Sequence, residues 1–197
     1  MVVTRPRQAT TLRLVTQMLV QGPLGRGFYC VHAEEWTDDA SPLVLVENFA
    51  TFLRLGDYPL DPALGAACFI YRGDPTLGRA TQPWFQAQPN PKYAMPDLDW
   101  DGLKNALTLC PVDGLVLPDG PALEAGIASG AIQVRHDIYT QQLSARSWWP
   151  RHLRHYPALQ PYLDLINRLQ AGVMQDQFGL TRIQWRVVGL EGWGEQP

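Results

Sequence analysis

Apolar and polar positions fall into blocks along this chain, and the blocks change character near residue 43. Residues 10–20 place apolar side chains at Leu12, Val15, Met18 and Leu19, a spacing that predicts a helix with Thr10 or Thr11 as its N-cap. Gly22, Pro23, Gly25 and Gly27 then predict a loop, with no Lys-Ser or Lys-Thr behind it to make a phosphate loop. Phe28 to Val31 read as a short strand and Glu34 to Pro42 as a polar connector. Leu43-Val44-Leu45-Val46 is an unbroken apolar run, the type buried on both faces of a parallel sheet. Behind it, Phe49, Phe52 and Leu53 keep helical spacing over 48–55. A second buried strand is predicted over 66–71, a helix over 77–87, a third strand over 92–98, a helix through Leu103, Ala106 and Leu107, and a fourth strand over 114–117.

Strands alternating with helices through short Gly, Pro and Asp loops predict an α/β layer with a mostly parallel sheet. Beyond Gly120 the pattern predicts a short helix near 121–128, a strand around 132–134 and a helical region from about 139 to 177. Pro150, Pro157 and Pro161 must break or restart that region. Leu163, Ile166, Leu169 and Val173 supply the last helix with an apolar face, and Arg182 to Val188 read as an edge strand. The predicted organisation is an N-terminal helix and linker over 1–41, an α/β core over 42–134, and a basic, mainly helical extension over 135–197 packed on the core.

Composition narrows the classes. With 197 residues, 46% of them hydrophobic, the chain can bury a proper core as one domain with an appendage. No apolar run approaches the ~18 residues that span a bilayer, and the N-terminus lacks the apolar core of a signal peptide. Cys30, Cys68 and Cys110 form no CxxC pair, which argues against a disulfide framework and a zinc site and for a reducing cytoplasm. Charge is uneven. Residues 41–134 hold five Lys/Arg against ten Asp/Glu, a balance of −5, and residues 135–186 hold seven Arg against three Asp, a balance of +4. An acidic middle followed by a basic segment suits a metal site beside a polyanion track; ordinary charge scatter accounts for it equally well.

The chemistry concentrates in Asp97-Leu98-Asp99-Trp100-Asp101-Gly102. Three carboxylates at alternating positions, closed by a glycine, are the oxygen-rich donors that hard divalent cations require. Asp97, Asp99, Asp101 and Gly102 match positions 1, 3, 5 and 6 of a calcium loop, but position 12 is Thr108 instead of a bidentate Glu. Pro89, Pro91 and Pro96 also forbid the entering helix. A phosphatase of the haloacid-dehalogenase type fits poorly, because Asp101 stands where its motif has Thr or Val. In parallel sheets, ligands gather at the carboxyl ends of strands. Glu47 ends the first predicted core strand and Asp97 and Asp99 end the third, so these chain-distant acids are expected to meet at one sheet edge.

A Glu after the first strand and an Asp-x-Asp after the third, here Glu47 and Asp97-Leu98-Asp99, resemble the Toprim fold. That fold is the metal-binding module of type IA and II topoisomerases, bacterial primases and several nucleases. Val46-Glu47-Asn48-Phe49-Ala50-Thr51-Phe52 is similar to a VEN-x-x-TF segment in the Toprim domain of the Wadjet plasmid-defence nuclease subunit. Pro96-Asp97-Leu98-Asp99-Trp100-Asp101-Gly102-Leu103 is similar to a second segment there, with Pro96 in place of a glycine. Tyr71-Arg72-Gly73-Asp74-Pro75 resembles a turn in type IIB topoisomerase A subunits. The likeness covers about residues 42–120, with a weaker echo at Gly179-Leu180-Thr181.

The resemblance implies a Toprim-like Rossmannoid of about four mostly parallel strands flanked by helices, with a helical C-terminal extension. It implies a Mg²⁺- or Mn²⁺-dependent DNA endonuclease or nickase, the cleaving subunit of a plasmid or phage defence system, or else a non-catalytic DNA-binding or assembly subunit of the same fold. Glu47, Asp97 and Asp99 would be the catalytic and metal-binding set, Glu47 as a third ligand or a general acid/base. Asp101 would join the metal ligands or support them from behind; a helix N-cap near Gly102 is its ordinary alternative. Asn48 could orient the ion or simply cap its helix. Arg72, Arg79, Arg146, Arg151 and Arg154 are candidate DNA contacts, the last three interleaved with Trp148, Trp149, His152 and His155 as on a stacking and phosphate-binding surface. Solvated arginines and a core Trp-Trp pair are the ordinary alternatives. Implied partners are DNA, SMC-like complex subunits and a second copy of the chain. With about forty residues ahead of the first Toprim-like strand, little room remains for a winged helix with a catalytic tyrosine, so hydrolysis without a covalent DNA-tyrosine intermediate is expected.

Overall fold

The computed structural model describes residues 17–22, 28–32, 35–36, 40–73, 78–109 and 111–190. Its first strands are β1 (Gln17–Gln21) and β2 (Phe28–His32), paired antiparallel. The expected helix over 10–20 is therefore a strand where it is described, and residues 10–16 lie outside the described residues. The physical reason is pairing. Met18 and Val20 alternate into the core, and Val20 and Gln21 add antiparallel to a core strand opposite Ile70 and Phe69. A sheet edge that needs partners overrides the local helical spacing.

The apolar run forms β3 (Leu43–Val46), every residue of it buried. After it come α1 (Phe49–Leu53), β4 (Cys68–Tyr71), α2 (Gly78–Ala87), β5 (Lys92–Met95), α3 (Trp100–Thr108) and β6 (Gly114–Pro118). The third core strand thus stops at Met95, three residues short of the expected end, and Leu98 makes a single bridge with Val173. Beyond β6 lie α4 (Gly120–Ala128), α5 (His136–Gln141), α6 (Leu143–His152), α7 (Gln160–Leu169) and β7 (Trp185–Gly189). Ile132 to Val134 form no strand; Arg135 pairs singly with Gly172 instead. Pro150 sits within the last turn of α6, Pro157 opens a 3₁₀ turn, and Pro161 lies in the first turn of α7. That helix ends at left-handed Gln170, so Val173 is not on its face.

The sheet is α/β and mixed, in the order β2-β1-β4-β3-β5-β6-β7. Its centre, β4-β3-β5-β6, is parallel; both flanks are antiparallel, with β7 closing on β6 at the predicted edge. Among the parallel strands the spatial order is second, first, third, fourth. The chain winds outward to β4 from β3, then crosses back to β5 on the other side. The two connections leave in opposite directions at β3/β5, which makes that gap the switch point where doubly wound sheets leave a crevice. Val46 and Met95 are opposite one another there, and the Glu47 N–H donates to Met95 O at 3.1 Å. Among the described residues no helix is long and apolar enough to cross a membrane.

Candidate functional site

Glu47 leaves the carboxyl end of β3 and Asp97 follows β5 by two residues, so register alone brings them together. Glu47 Oε2 accepts the Asp97 backbone N–H at 3.0 Å, and Glu47 Oε1 pairs with Arg72 Nη1 at 2.7 Å. Arg72 itself follows β4, and its N–H donates to Val46 O at 2.8 Å. Three adjacent strand ends therefore contribute an acid, an acid and a base.

Asp97 and Asp99 are both buried. Asp99 is the N-cap of α3: its Oδ1 accepts the Gly102 N–H at 2.7 Å. The helix begins at Trp100, ahead of the position considered for an Asp101 cap, so Asp99 takes the capping role and Asp101 does not. Asp101 is half-buried in the first turn, and its N–H donates to Gln142 Oε1 at 3.2 Å. Asn48 caps α1, accepting from the Thr51 N–H at 3.1 Å. Two glycines make room for the acids. A Cβ on Gly102 would run into the Asp97 carbonyl, and one on Gly172 would stand 2.7 Å from Asp99 Cβ.

The residue that sequence reasoning missed is Gln175. Fully buried, it donates its own N–H to Asp97 Oδ1 at 2.8 Å and its side-chain amide to Met95 O, and its Oε1 accepts the Asn48 N–H at 3.3 Å. The Tyr58 hydroxyl donates to its carbonyl at 2.8 Å. Just ahead of it, Leu98 and Val173 exchange two backbone bonds at 3.0 Å. Residues 172–175 thus form a strap across the ends of β3 and β5. No local signal marks this: the strap lies 78 residues from Asp97 in sequence, and a Gln in a polar stretch carries no pattern.

Electrostatics at the strap is short of positive charge. Burial pushes Asp97 up to about 7, against the Gln175 N–H and with help from the charges of Glu47 and Asp99. Burial also raises Glu47, opposed by the Arg72 guanidinium and the Asp97 N–H, and raises Asp99, opposed by the Gly102 N–H and the Gln142 amide. Arg72 serves Glu47, while Asp97 and Asp99 are met by the Gln175 and Gly102 N–H groups.

The donors suit a hard divalent cation in kind: carboxylate oxygens, buried, under-compensated, at a crevice. Among the described residues no three acidic, histidine or cysteine groups converge on one point as placed. Both oxygens of Glu47 are engaged, one by Arg72 and one by the Asp97 N–H. Asp97 and Asp99 are the residues that would hold an ion, with Glu47 within electrostatic reach of both.

Of the candidate DNA contacts, Arg72 reaches Glu47 directly. Arg79 falls on α2, and its side chain lies outside the described residues. Arg146, Arg151 and Arg154 are exposed on and just after α6. Arg146 stands over the Tyr139 ring, 5.1 Å from its centroid. Trp149 is core, whereas half-buried Trp148 stacks on His152 at 3.8 Å. The pair splits its roles between packing and surface.

A family model described as a domain of unknown function, DUF7281, matches residues 7–186. No curated protein matches the chain.

Proposed function

We propose that this chain, which belongs to the DUF7281 family, is a metal-dependent nuclease of Toprim type acting on DNA. The observation that carries the reading is the placing of Glu47 beside Asp97 at the switch point of a parallel sheet, with Asp99 within electrostatic reach of both and Arg72 paired to Glu47. Glu47 after the first core strand and Asp97-Leu98-Asp99 after the third support the reading, since those are the places the sequence resemblance gives them.

When bound, Mg²⁺ or Mn²⁺ neutralises charge at a phosphodiester and stabilises the leaving oxygen. Asp97 and Asp99 would hold the ion, and the strap sets their positions through Gln175 and Gly172. Glu47, raised by burial, is the carboxylate placed to take and return a proton. Arg72, once released from Glu47, is placed to pair with a phosphate oxygen. The exposed arginines of α6 supply positive charge for a DNA backbone in this reading. DNA is the substrate in this reading, with SMC-like subunits or a second copy of the chain as partners in a defence assembly.

A second reading has its own support. Glu47 is paired with Arg72 and accepts the Asp97 N–H, an engagement that suits a Toprim-like subunit that binds DNA or a partner without cleaving. Supercoiled-plasmid nicking with Mg²⁺ or Mn²⁺ separates the two. Nicking that disappears in Asp97→Ala and Asp99→Ala supports the nuclease; nicking unchanged in both variants would sink the assignment of the site. DNA retention without cleavage under either metal supports the second reading.

A further inference from the structure

A narrow crevice opens beside the Glu47–Arg72 pair, between the ends of β3 and β5 and one stripe of α3, with a volume of about 10 Å³. Leu45 and Ala94, partners in the sheet register, form its apolar floor. Glu47 and Arg72 line it, and so do Asn105 and Ala106 of α3. Asn105 and Ala106 follow Gly102 by three and four residues, so all three share one helical face. Gly102 packs against the Asp97 carbonyl, which turns that face toward the acids. Glu47 is thus a wall of the crevice and a member of the acidic site at once.

Asn105 is the polar group here that the fold leaves unused. It is half-buried, and its side-chain amide has no hydrogen-bond partner among the described residues. An amide on a largely apolar wall costs free energy unless something bonds it. The other two polar groups also have capacity to spare. A carboxylate accepts at more positions than the two that Arg72 and the Asp97 N–H occupy on Glu47, and the Arg72 guanidinium carries more N–H donors than its bond to Glu47 uses. A space of about 10–15 Å³ with about two to four polar partners is the least that holds an ordered water molecule. The crevice has that room and offers a carboxylate, a guanidinium and an amide.

We propose that this crevice holds one water molecule oriented by Asn105, and that this is the water of hydrolysis; the second part rests on the reading of the acids as a phosphodiester-cleaving site. The amide both donates and accepts, so together with Glu47 it fixes the direction of the water's lone pair. In the step, the water oxygen bonds to phosphorus while the bond from phosphorus to the leaving oxygen breaks. One proton of the water passes to the Glu47 carboxylate and from there to the leaving oxygen. Water and a phosphodiester thus become a phosphomonoester and an alcohol, with no further reactant. Asn105 touches the water and not the DNA, so its loss falls on the rate of the bound complex and spares binding.

Two measurements on the full chain test it. A metal-free crystal structure should show one water molecule within hydrogen-bond distance of Asn105, Glu47 and Arg72. Asn105→Leu, which fills the crevice with an apolar side chain, should lose that water without lowering the thermal melt; Asn105→Ala takes its place if the melt falls. A crevice without water in the parent overturns the proposal. In Mg²⁺-dependent plasmid nicking, the same variant should lower kcat about tenfold or more with KM unchanged. Asn105→Ser, which returns a hydrogen-bonding group, should recover part of the loss. An unchanged kcat, a loss confined to KM, or a loss that Asn105→Ser does not reduce overturns the role in hydrolysis. A parent that nicks with neither Mg²⁺ nor Mn²⁺ defeats the nuclease reading and that role with it, and the water site then stands or falls on the crystal structure.

Discussion

Asp97→Asn should make the metal-free protein more stable, and the gain should grow with pH. The side chain keeps its shape, and Asn Oδ1 can still accept the Gln175 N–H that now reaches Asp97 at 2.8 Å. What it loses is a charge the fold disfavours. Burial moves the carboxyl from its ordinary 3.8 to about 7. Between those values the folded state binds more protons than the unfolded chain, so stability falls as pH rises through the window. At roughly 1.4 kcal/mol per pH unit, ionised Asp97 costs the fold about 4 kcal/mol at pH 8 and under about 1 kcal/mol at pH 4. Glu47 and Asp99 are raised in the same direction, so the parent's own stability should decline over that range, and the difference between the two proteins isolates Asp97. Urea unfolding in EDTA at pH 4, 6 and 8 measures it. Adding Mg²⁺ should narrow the difference at pH 8. A ligand at 100 times its Kd contributes about 2.7 kcal/mol, and only the parent retains the carboxylate to hold it. A variant that is less stable at pH 8, or a difference that stays flat with pH, would refute the account of Asp97 as a buried, under-compensated acid.

Two other perturbations probe the strap. Gln175→Ala removes the amide that serves Met95 O and the Asn48 N–H, leaving both without that partner, and should cost about 2–4 kcal/mol in urea unfolding; a loss below about 1 kcal/mol would show that the strap does not hold the strand ends. Gly172→Ala places a methyl 2.7 Å from Asp99 Cβ, and the displacement should cost about 1–3 kcal/mol and depress nicking more than Gly130→Ala does. Equal nicking in both variants would separate Gly172 from the site.

The strands of the parallel centre were legible because burial on both faces leaves an unbroken apolar signature, as in Leu43 to Val46. The acids were legible because strand ends in a parallel sheet fall at one edge, which makes Glu47 and Asp97 neighbours by topology alone. Capping chemistry was only half legible: an Asp every second residue announces an N-cap, and the start of α3 at Trp100 decides that Asp99 provides it. The first strand was misread because helix and strand spacing coincide over short runs, and Gln17–Gln21 is settled by its hydrogen bonds to β2 and β4.

By itself, then, the sequence determined an α/β sheet with carboxylates at two strand ends, since both follow from local pattern and from the geometry of parallel strands. Only the tertiary structure decided how those carboxylates are held. Arg72 on Glu47, Gln175 across Met95 and Asp97, and Gly172 against Asp99 are contacts between residues far apart in sequence. Such contacts leave no periodicity to read, because each is set by where a distant backbone passes and by the need of a buried polar group for a partner.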